Sequence, residues 1–521
     1  MENENKVVIK LKKVPLESER QELKQKRREN FLIILLVFVI FVTGIGVGYG
    51  ISKINFNNDG YKAHSDNKYD AIKEYFKNVW LYKNDYENLD ELLDDKAIDG
   101  LSSFANDPYT SYMSKEEMEE YANHINMDYV GIGLQYSLFD NVATVLRVFK
   151  ESPAEKAGLR EGDIFLKVDD TVLTEENIDD LKSMVQGVEG TTVRVTVDRN
   201  GEELEFSIAR GKITSTVYAE AKDDYVILEI MSFGESTAEE CIKYLKGFTD
   251  YHKLIIDLRE NGGGYQTALQ KTATLFVGKD KVVMNQTYND GKTEKAMTIG
   301  NTCFDNFEQI VILVDGGTAS AAEVLTLCIK ENHPNCIIVG EQTYGKGVVQ
   351  SNYLLEDGSV LKITTSAWTS PSGKVIEGEG ITPDIEVSFP DIFYMPATGI
   401  EEDDVYKYDD VSYVIQVAQM ALQAIDYNVE RTDGYFDSQF EEVLDTFKKD
   451  NGLNVDHILD YETYLAIVSK VNYEYAFNED RDTQLNKAKE ILRWWLVWLI
   501  RLMVCFGVSQ WLFSYLVHIC I

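Results

Sequence analysis

Ser320 and Lys346 are residue types from which acyl-transfer chemistry could be built without a histidine. Val311 to Val314 read as a short strand buried on both faces, and the turn Asp315-Gly316-Gly317-Thr318 follows at once. Ser320 then precedes Ala321, Ala322, Val324, Leu325, Leu327 and Cys328, a run with helical character. That order predicts Ser320 at a helix N-terminus, where free backbone N–H groups and the helix dipole favour negative charge. A second buried strand, Cys336 to Val339, leads to Lys346 in a Gly345-Lys346-Gly347 loop. A neutral lysine amine can take a hydroxyl proton, so the two residues suggest a nucleophile and its general base. A plainer reading stays open at this point, because serine is a common helix cap and such a loop is commonly just solvated. Nothing in the spacing couples His333, which sits beside Pro334 in a turn, or His252 to Ser320 as a Ser/His pair.

The wording around these residues is more specific than their types. Gly317-Thr318-Ala319-Ser320-Ala321-Ala322-Glu323, then Gly340-Glu341-Gln342-Thr343-Tyr344-Gly345-Lys346-Gly347 with Gln350 beyond it, resembles the C-terminal processing (tail-specific) serine peptidases. The resemblance implies a Ser/Lys/Gln set: Ser320 as nucleophile, Lys346 as general base, and Gln350 as the group that orients the lysine. It implies no metal and no cofactor. Two departures stand out: Ala322 occupies a position where a second serine is common, and the serine-to-lysine interval is one residue longer, in the Asn332 to Asn335 turn.

A third stretch, Arg259-Glu260-Asn261-Gly262-Gly263-Gly264, follows the buried strand Leu254 to Leu258 and opens into a helix over Ala268 to Phe276. Glycines there let backbone N–H groups approach an anion, although the spacing fits neither a P-loop nor a dinucleotide fingerprint. In the resembled family this segment helps form the oxyanion hole, with Gly262 here in place of a proline. By that resemblance Gly263 and Ala321 supply the donors, and Asp257, Arg259 and Glu323 are supporting charges that order the site. A buried structural ion-pair network accounts for those three charges equally well.

These groups must be positioned by several domains, because 521 residues exceed what one core holds. The expected fold class is multidomain α/β. A formal charge of -36 excludes a nucleic-acid partner, which needs basic surface. Cys241, Cys303, Cys328, Cys336, Cys505 and Cys520 show no metal-like spacing and read as thiols rather than a disulfide framework. Residues 1–30 are a polar tail with nine Lys or Arg against six acidic residues. Phe31 to Ile51 is uncharged and long enough to cross a membrane, and its positive flank places the tail in the cytoplasm and the rest outside. After a linker, 52–68, residues 69–127 predict a small helical region. It ends in Asn106-Asp107-Pro108-Tyr109-Thr110-Ser111-Tyr112-Met113, followed by a capping box at Ser114 and Glu117.

Short strands and turns over 128–212 resemble a PDZ domain, β-rich α+β. The resemblance implies that Gly131, Ile132, Gly133 and Leu134 hold a peptide carboxylate by their N–H groups. The resemblance implies that residues 213–388, together with 69–127, form an α/β peptidase core; Thr237 is expected to cap a helix with Glu240 three residues on, and 389–410 reads as an acidic linker. Residues 411–475 resemble a peptidoglycan-binding helical repeat, with Phe440, Val443, Leu444 and Phe447 on one face and His457 where that motif has glycine. Residues 493–521 carry four of the six tryptophans. They fit either a second membrane helix, with Arg501 its awkward residue, or an aberrant C-terminus.

The reading that follows is a membrane-anchored extracytoplasmic serine endopeptidase whose PDZ domain recognises free protein C-termini. Its partners would be protein substrates, the membrane and peptidoglycan, and the oligomeric state is left open. The alternative is a non-catalytic PDZ and cell-wall-binding scaffold, against which the joint presence of Ser320, Lys346 and Gln350 argues.

Overall fold

The computed structural model describes residues 67–493 apart from 104–106, 140–141, 175–176, 397–399 and 402. The expected tail at 1–30, the membrane segment at 31–51, most of the linker, residues 494–521, and Cys505 and Cys520 lie outside the described residues. Among the described residues no helix is long and apolar enough to cross a membrane. The four described cysteines are free thiols.

The chain divides into two units, at Gly100/Leu101. The first is a helical pair, α1 (Lys68–Val79) and α2 (Leu89–Ser102). Lys73 ties them by ion pairs to Asp90 and Asp94 at 2.8 and 2.6 Å. The apolar residues of α1 that recur at helical spacing are not enclosed: Ile72 is 48% and Val79 56% exposed. Two short helices offer one another too little surface to cover both stripes.

In the second unit β1 (Ser111–Met113) precedes α3 (Lys115–Asn126), which starts with the expected Ser114/Glu117 capping box. The PDZ module follows: β2 (Asp128–Gly131), β3 (Leu134–Phe139), β4 (Val142–Val148), α4 (Pro153–Ala157), β5 (Ile164–Val168), β6 (Thr171–Val172), α5 (Leu181–Val185), β7 (Thr192–Arg199), β8 (Glu202–Ala209) and β9 (Gly211–Thr214). Its sheet runs β3-β4-β5-β7-β8, with β6 on β5, while β2 pairs β9. Val145, Phe165, Leu181, Val195 and Ile208 fill its core. Between β6 and β7 the chain makes a 3₁₀ turn at Ile178–Asp180 and then α5.

The core comprises β10 (Val217–Lys222), β11 (Tyr225–Ile230), α6 (Thr237–Leu245), β12 (Lys253–Asp257), α7 (Gln266–Val277), β13 (Val282–Tyr288), β14 (Thr293–Met297), β15 (Gln309–Val314), α8 (Ala321–Asn332), β16 (Cys336–Gly340), β17 (Val348–Leu354), β18 (Val360–Thr369) and β19 (Ile385–Glu386). One sheet has the order β10-β11-β12-β15-β16-β19 and is parallel from β11 onward. Both of its faces are covered, which is why β12 and β15 read as unbroken apolar runs. Leu254, Ile256, Ile310 and Ile312 pack with residues of α6, α7 and α8, and the alternating Ile255, Val311 and Leu313 pack with Leu485, Ala488 and Leu492. A second sheet, β1-β18-β13-β14 with β17 on β18, stands beside it. Thr237 does not cap α6; Ser236 is the cap residue. Glu240 is drawn away to accept from the Thr216 and Val217 N–H groups at the start of β10.

Beyond the core lie β20 (Val405–Tyr406), α9 (Tyr413–Ala424), α10 (Ser438–Asp450), β21 (Leu459–Asp460) and α11 (Tyr461–Phe477). Phe440, Val443, Leu444 and Phe447 are buried together, as their spacing requires. The segment expected as a linker is part of this domain: β20 pairs β21, and Ile392, Met395 and Tyr406 pack on its core. His457 has φ 64°, so it adopts the left-handed backbone that glycine usually supplies there.

Candidate active site

Parallel strands β12, β15 and β16 end side by side, and each passes the chain to a loop at its carboxyl end, the edge where open α/β sheets place their sites. The three loops are strapped together. Glu260 N–H donates to Asp315 Oδ1 at 2.9 Å, Ala319 N–H to Asn261 O at 2.9 Å, and Tyr344 N–H to Thr318 O at 3.0 Å. Gly263 lies so close that an added Cβ would stand 2.9 Å from Ser320 Cβ and 3.0 Å from Ala321 N; its φ of 106° also demands glycine.

Ser320 holds φ 54° and ψ -115°, a conformation that costs a non-glycine residue about 1–3 kcal/mol and persists only where its surroundings impose it. Glu323 is what imposes it. This carboxylate, on the first turn of α8, is fully buried. It accepts from Ser320 N–H at 2.8 Å, Gly345 N–H at 2.8 Å, Lys346 N–H at 3.0 Å and the Thr343 hydroxyl. One side chain therefore holds both the serine turn and the lysine loop. Burial pushes its carboxyl above the ordinary range, and these four donors offset part of that.

Trp368 on β18 donates its indole N–H to Lys346 O at 2.8 Å and fixes the lysine loop from the other side. The Lys346 ammonium position lies 4.5 Å from the centre of the Tyr109 ring. Burial lowers the Lys346 pKa, and the positive charge of Lys362 lowers it further, against the opposing pull of Glu377 and Glu323. No hydrogen bond joins Lys346 Nζ to Ser320 Oγ or to Gln350 among the described residues. Gln350 donates through Nε2 to Thr364 Oγ1 at 3.2 Å, and Thr364 donates in turn to Asp107 Oδ1 at 3.0 Å. Asp107 also accepts from Tyr109 and Thr110 N–H, both at 3.1 Å. Its carboxyl is pushed up by burial, but the hydrogen bonds outweigh this and hold it below its ordinary value. The Asn106 to Met113 run, which reads only as a turn before a helix, thus places a ring over Lys346 and a carboxylate behind Gln350.

A serine at a strained helix start and a buried lysine of lowered pKa can support acyl transfer, and the comparisons with known proteins point to a serine peptidase. Residues 224–387 match the family description "Peptidase family S41", 144–199 a PDZ domain and 414–467 a putative peptidoglycan binding domain. A probable CtpA-like serine protease of Staphylococcus haemolyticus is 33% identical over 431 residues, spanning 81% of this chain and 86% of that protein. The carboxy-terminal processing protease CtpA of Bacillus subtilis is 32% identical over 443 residues, spanning 82% and 91%. This chain belongs to the CtpA-like S41 serine peptidases.

In this S41 peptidase a cavity of about 900 Å³ is lined by Ser320, Ala321, Lys346 and Gln350, by Gly262 to Gly264, and by Ile132, Gly133 and Leu134 of the PDZ module. The Ile132 and Gly133 N–H groups have no partner among the described residues. Ala321 N–H, at the first position of α8, is likewise free. Gly263 departs from expectation: the Asn261 side chain folds back and accepts its N–H at 2.8 Å, so the donor proposed from sequence is engaged. Asp257 and Arg259 do not line the cavity. Arg259 joins Asp257 at 2.6 Å to Asp482 at 2.9 Å, a half-buried pairing of the core with the C-terminal region. His333 and His252 bond backbone carbonyls of Phe307 and Asn306, away from Ser320. Sequence reasoning missed Thr343, Thr364, Trp368 and Lys362. Lys362 and Thr364 share one face of β18, two polar residues at alternate positions of a core strand, which is a readable sign of a face turned to a site, whereas a bulge against β17 before Ser366 breaks the alternation ahead of Trp368.

Proposed function

We propose that this S41 peptidase is a membrane-anchored, extracytoplasmic endopeptidase that recognises protein C-termini through its PDZ domain and cuts with a Ser320/Lys346 pair. The observation that carries this reading is the shared cavity, in which Ser320 and Lys346 open into the same space as the PDZ loop 131–134. That the similar CtpA of Bacillus subtilis is a carboxy-terminal processing protease supports the choice of protein C-termini as substrate. In the first step Lys346, neutral and moved from the Tyr109 face, takes the Ser320 proton as Oγ bonds the scissile carbonyl carbon. Ala321 N–H holds the resulting oxyanion. The C–N bond then breaks, the lysine ammonium returns its proton to the departing amine, and water hydrolyses the acyl-enzyme by the same route. Gln350, fixed through Thr364 and Asp107, restricts where the lysine amine points.

Membrane anchoring rests on Phe31 to Ile51 and its positive flank, and cell-wall binding on the domain at 414–467. The test of the chemistry uses an unfolded protein with a free C-terminus as substrate. Wild-type chain should degrade it, Ser320→Ala and Lys346→Ala should not, and Lys346→Arg should fail because guanidinium stays charged. Near wild-type activity of Lys346→Arg would refute the neutral-lysine step. For topology, protease added to intact cells should remove the PDZ and core domains, and full protection of both would refute the anchor orientation.

A further inference from the structure

Lys362 is a second cation in the catalytic cleft, and beyond its repulsion of the Lys346 ammonium the peptidase reading gives it no contact with substrate. It lies on β18 between Ser111 of β1 and Asn352 of β17, and it lines the same cavity as Ser320. Its ammonium stands 4.7 Å from the centre of the Tyr121 ring on α3. No carboxylate pairs with it among the described residues. That is unusual in a chain with 87 acidic against 51 basic residues, where cations generally find acids. The carboxylates on the cavity wall are committed elsewhere. Asp128 pairs with Lys212 at 2.8 Å, and Glu260 stands against Asp315, whose charge pushes its carboxyl up. A half-buried ammonium with only a ring behind it has lost part of its hydration and lacks the anion that would replace it.

We propose that Lys362, backed by Tyr121, is a carboxylate-binding subsite of the catalytic cleft, so that the enzyme prefers peptides carrying an anionic group within a few residues of the scissile bond. The inference rests on the serine peptidase reading above. Lys362 lies two positions along β18 from Thr364, the partner of Gln350, or about 7 Å along the strand, which sets the few-residue range. Leu269, Met284, Val324 and Trp368 give the same cavity an apolar wall. An extended peptide that rests apolar side chains there can bring a carboxylate to Lys362. Two sources supply this group in a protein substrate, an Asp or Glu side chain and the chain's own terminal carboxylate.

Internally quenched peptides cut by the full-length chain separate these sources. Glu or Gln is placed at each of the positions flanking the scissile bond, and every peptide is made with a free and an amidated C-terminus. The side-chain source predicts one position at which Glu is cleaved with about tenfold or greater kcat/KM over Gln, as expected for a hydrogen bond to a charged group. The terminal source predicts the same advantage of acid over amide. Lys362→Arg should keep the preference, Lys362→Met should bring the ratio close to one, and Lys362→Glu should favour a Lys-bearing peptide instead. Because each ratio compares two substrates on one enzyme, any effect of Lys362 on Lys346 cancels. Ratios within about twofold throughout the wild-type series overturn the proposal, even if a variant fails to fold, and so does a ratio that survives Lys362→Met. Cleavage without discrimination overturns the subsite alone, whereas no difference between wild type and Ser320→Ala on any peptide overturns the peptidase reading with it.

Discussion

Replacing Glu323 by Gln tests whether one carboxylate aligns nucleophile and base. The side chain keeps its shape but exchanges one oxygen, which accepts twice, for an N–H₂ group. If the amide nitrogen turns toward Ser320 and Lys346, two backbone N–H groups are left facing a donor. If it turns toward Thr343 and Gly345, the Gly345 N–H is the one backbone donor stranded, while the Thr343 oxygen, which also accepts from Ile381 N–H, accepts from the amide and its O–H gives up its acceptor. The second arrangement is cheaper. It strands one buried donor, costing about 1–3 kcal/mol, and loses one charge-assisted bond of similar worth. Against this, Gln avoids the burial of charge that raises the Glu323 pKa. A net loss of about 2–3 kcal/mol remains, or roughly 5–10 °C in the melting of a domain of this size. Ser320 and Lys346 keep their acceptor in this arrangement, so kcat should fall severalfold with KM little changed. Glu323→Ala strands all four donors and should abolish activity. Scanning calorimetry and kinetics on a quenched peptide measure both effects. If Glu323→Gln melts within about 1 °C of wild type and keeps kcat within twofold, the carboxylate is not what joins the two loops.

Asp107→Asn should lower kcat/KM about three- to tenfold, and combining it with Gln350→Ala should cost no more than Gln350→Ala alone, since both act through Thr364. Arg259→Leu leaves the buried Asp257 and the half-buried Asp482 without their cation, so it should destabilise the fold by about 1–3 kcal/mol in a denaturant titration while active-site titration shows normal turnover per folded molecule. The Lys346 pKa is lowered in the folded state, so its neutral form is favoured. Its contribution to stability is complete above the ordinary lysine value and is lost as pH falls through the lowered one, and kcat/KM should rise with pH over that interval. Lys362→Met removes a repelling charge and should move this rise to higher pH, whereas Tyr109→Leu removes the ring that favours the ammonium and should move it lower.

The sequence makes some parts of this site legible and hides others for a physical reason. Strands β12 and β15 could be read because burial on both faces demands unbroken apolar runs, and the start of α8 because its apolar side chains begin immediately after Ser320. The catalytic stretch could be read through its resemblance, since its wording runs along the chain. What could not be read depends on residues brought together from distant positions. Nothing local in Asn106 to Met113 says that Tyr109 will cover Lys346 or that Asp107 will stand behind Gln350, because these meetings require β1 to pair with β18. The engagement of Gly263 was hidden differently: Asn261 has the short polar side chain that can fold back onto a nearby N–H, and only the local backbone decides that it does. The same distinction governs the lysine. Its place in a Gly-Lys-Gly loop is a sequence fact, but its charge depends on Tyr109 from one loop, Lys362 from β18 and Glu323 from α8, together with Glu377. A residue's identity therefore nominates it as a base, while the folded arrangement of its neighbours determines whether it is neutral at the pH where it must act.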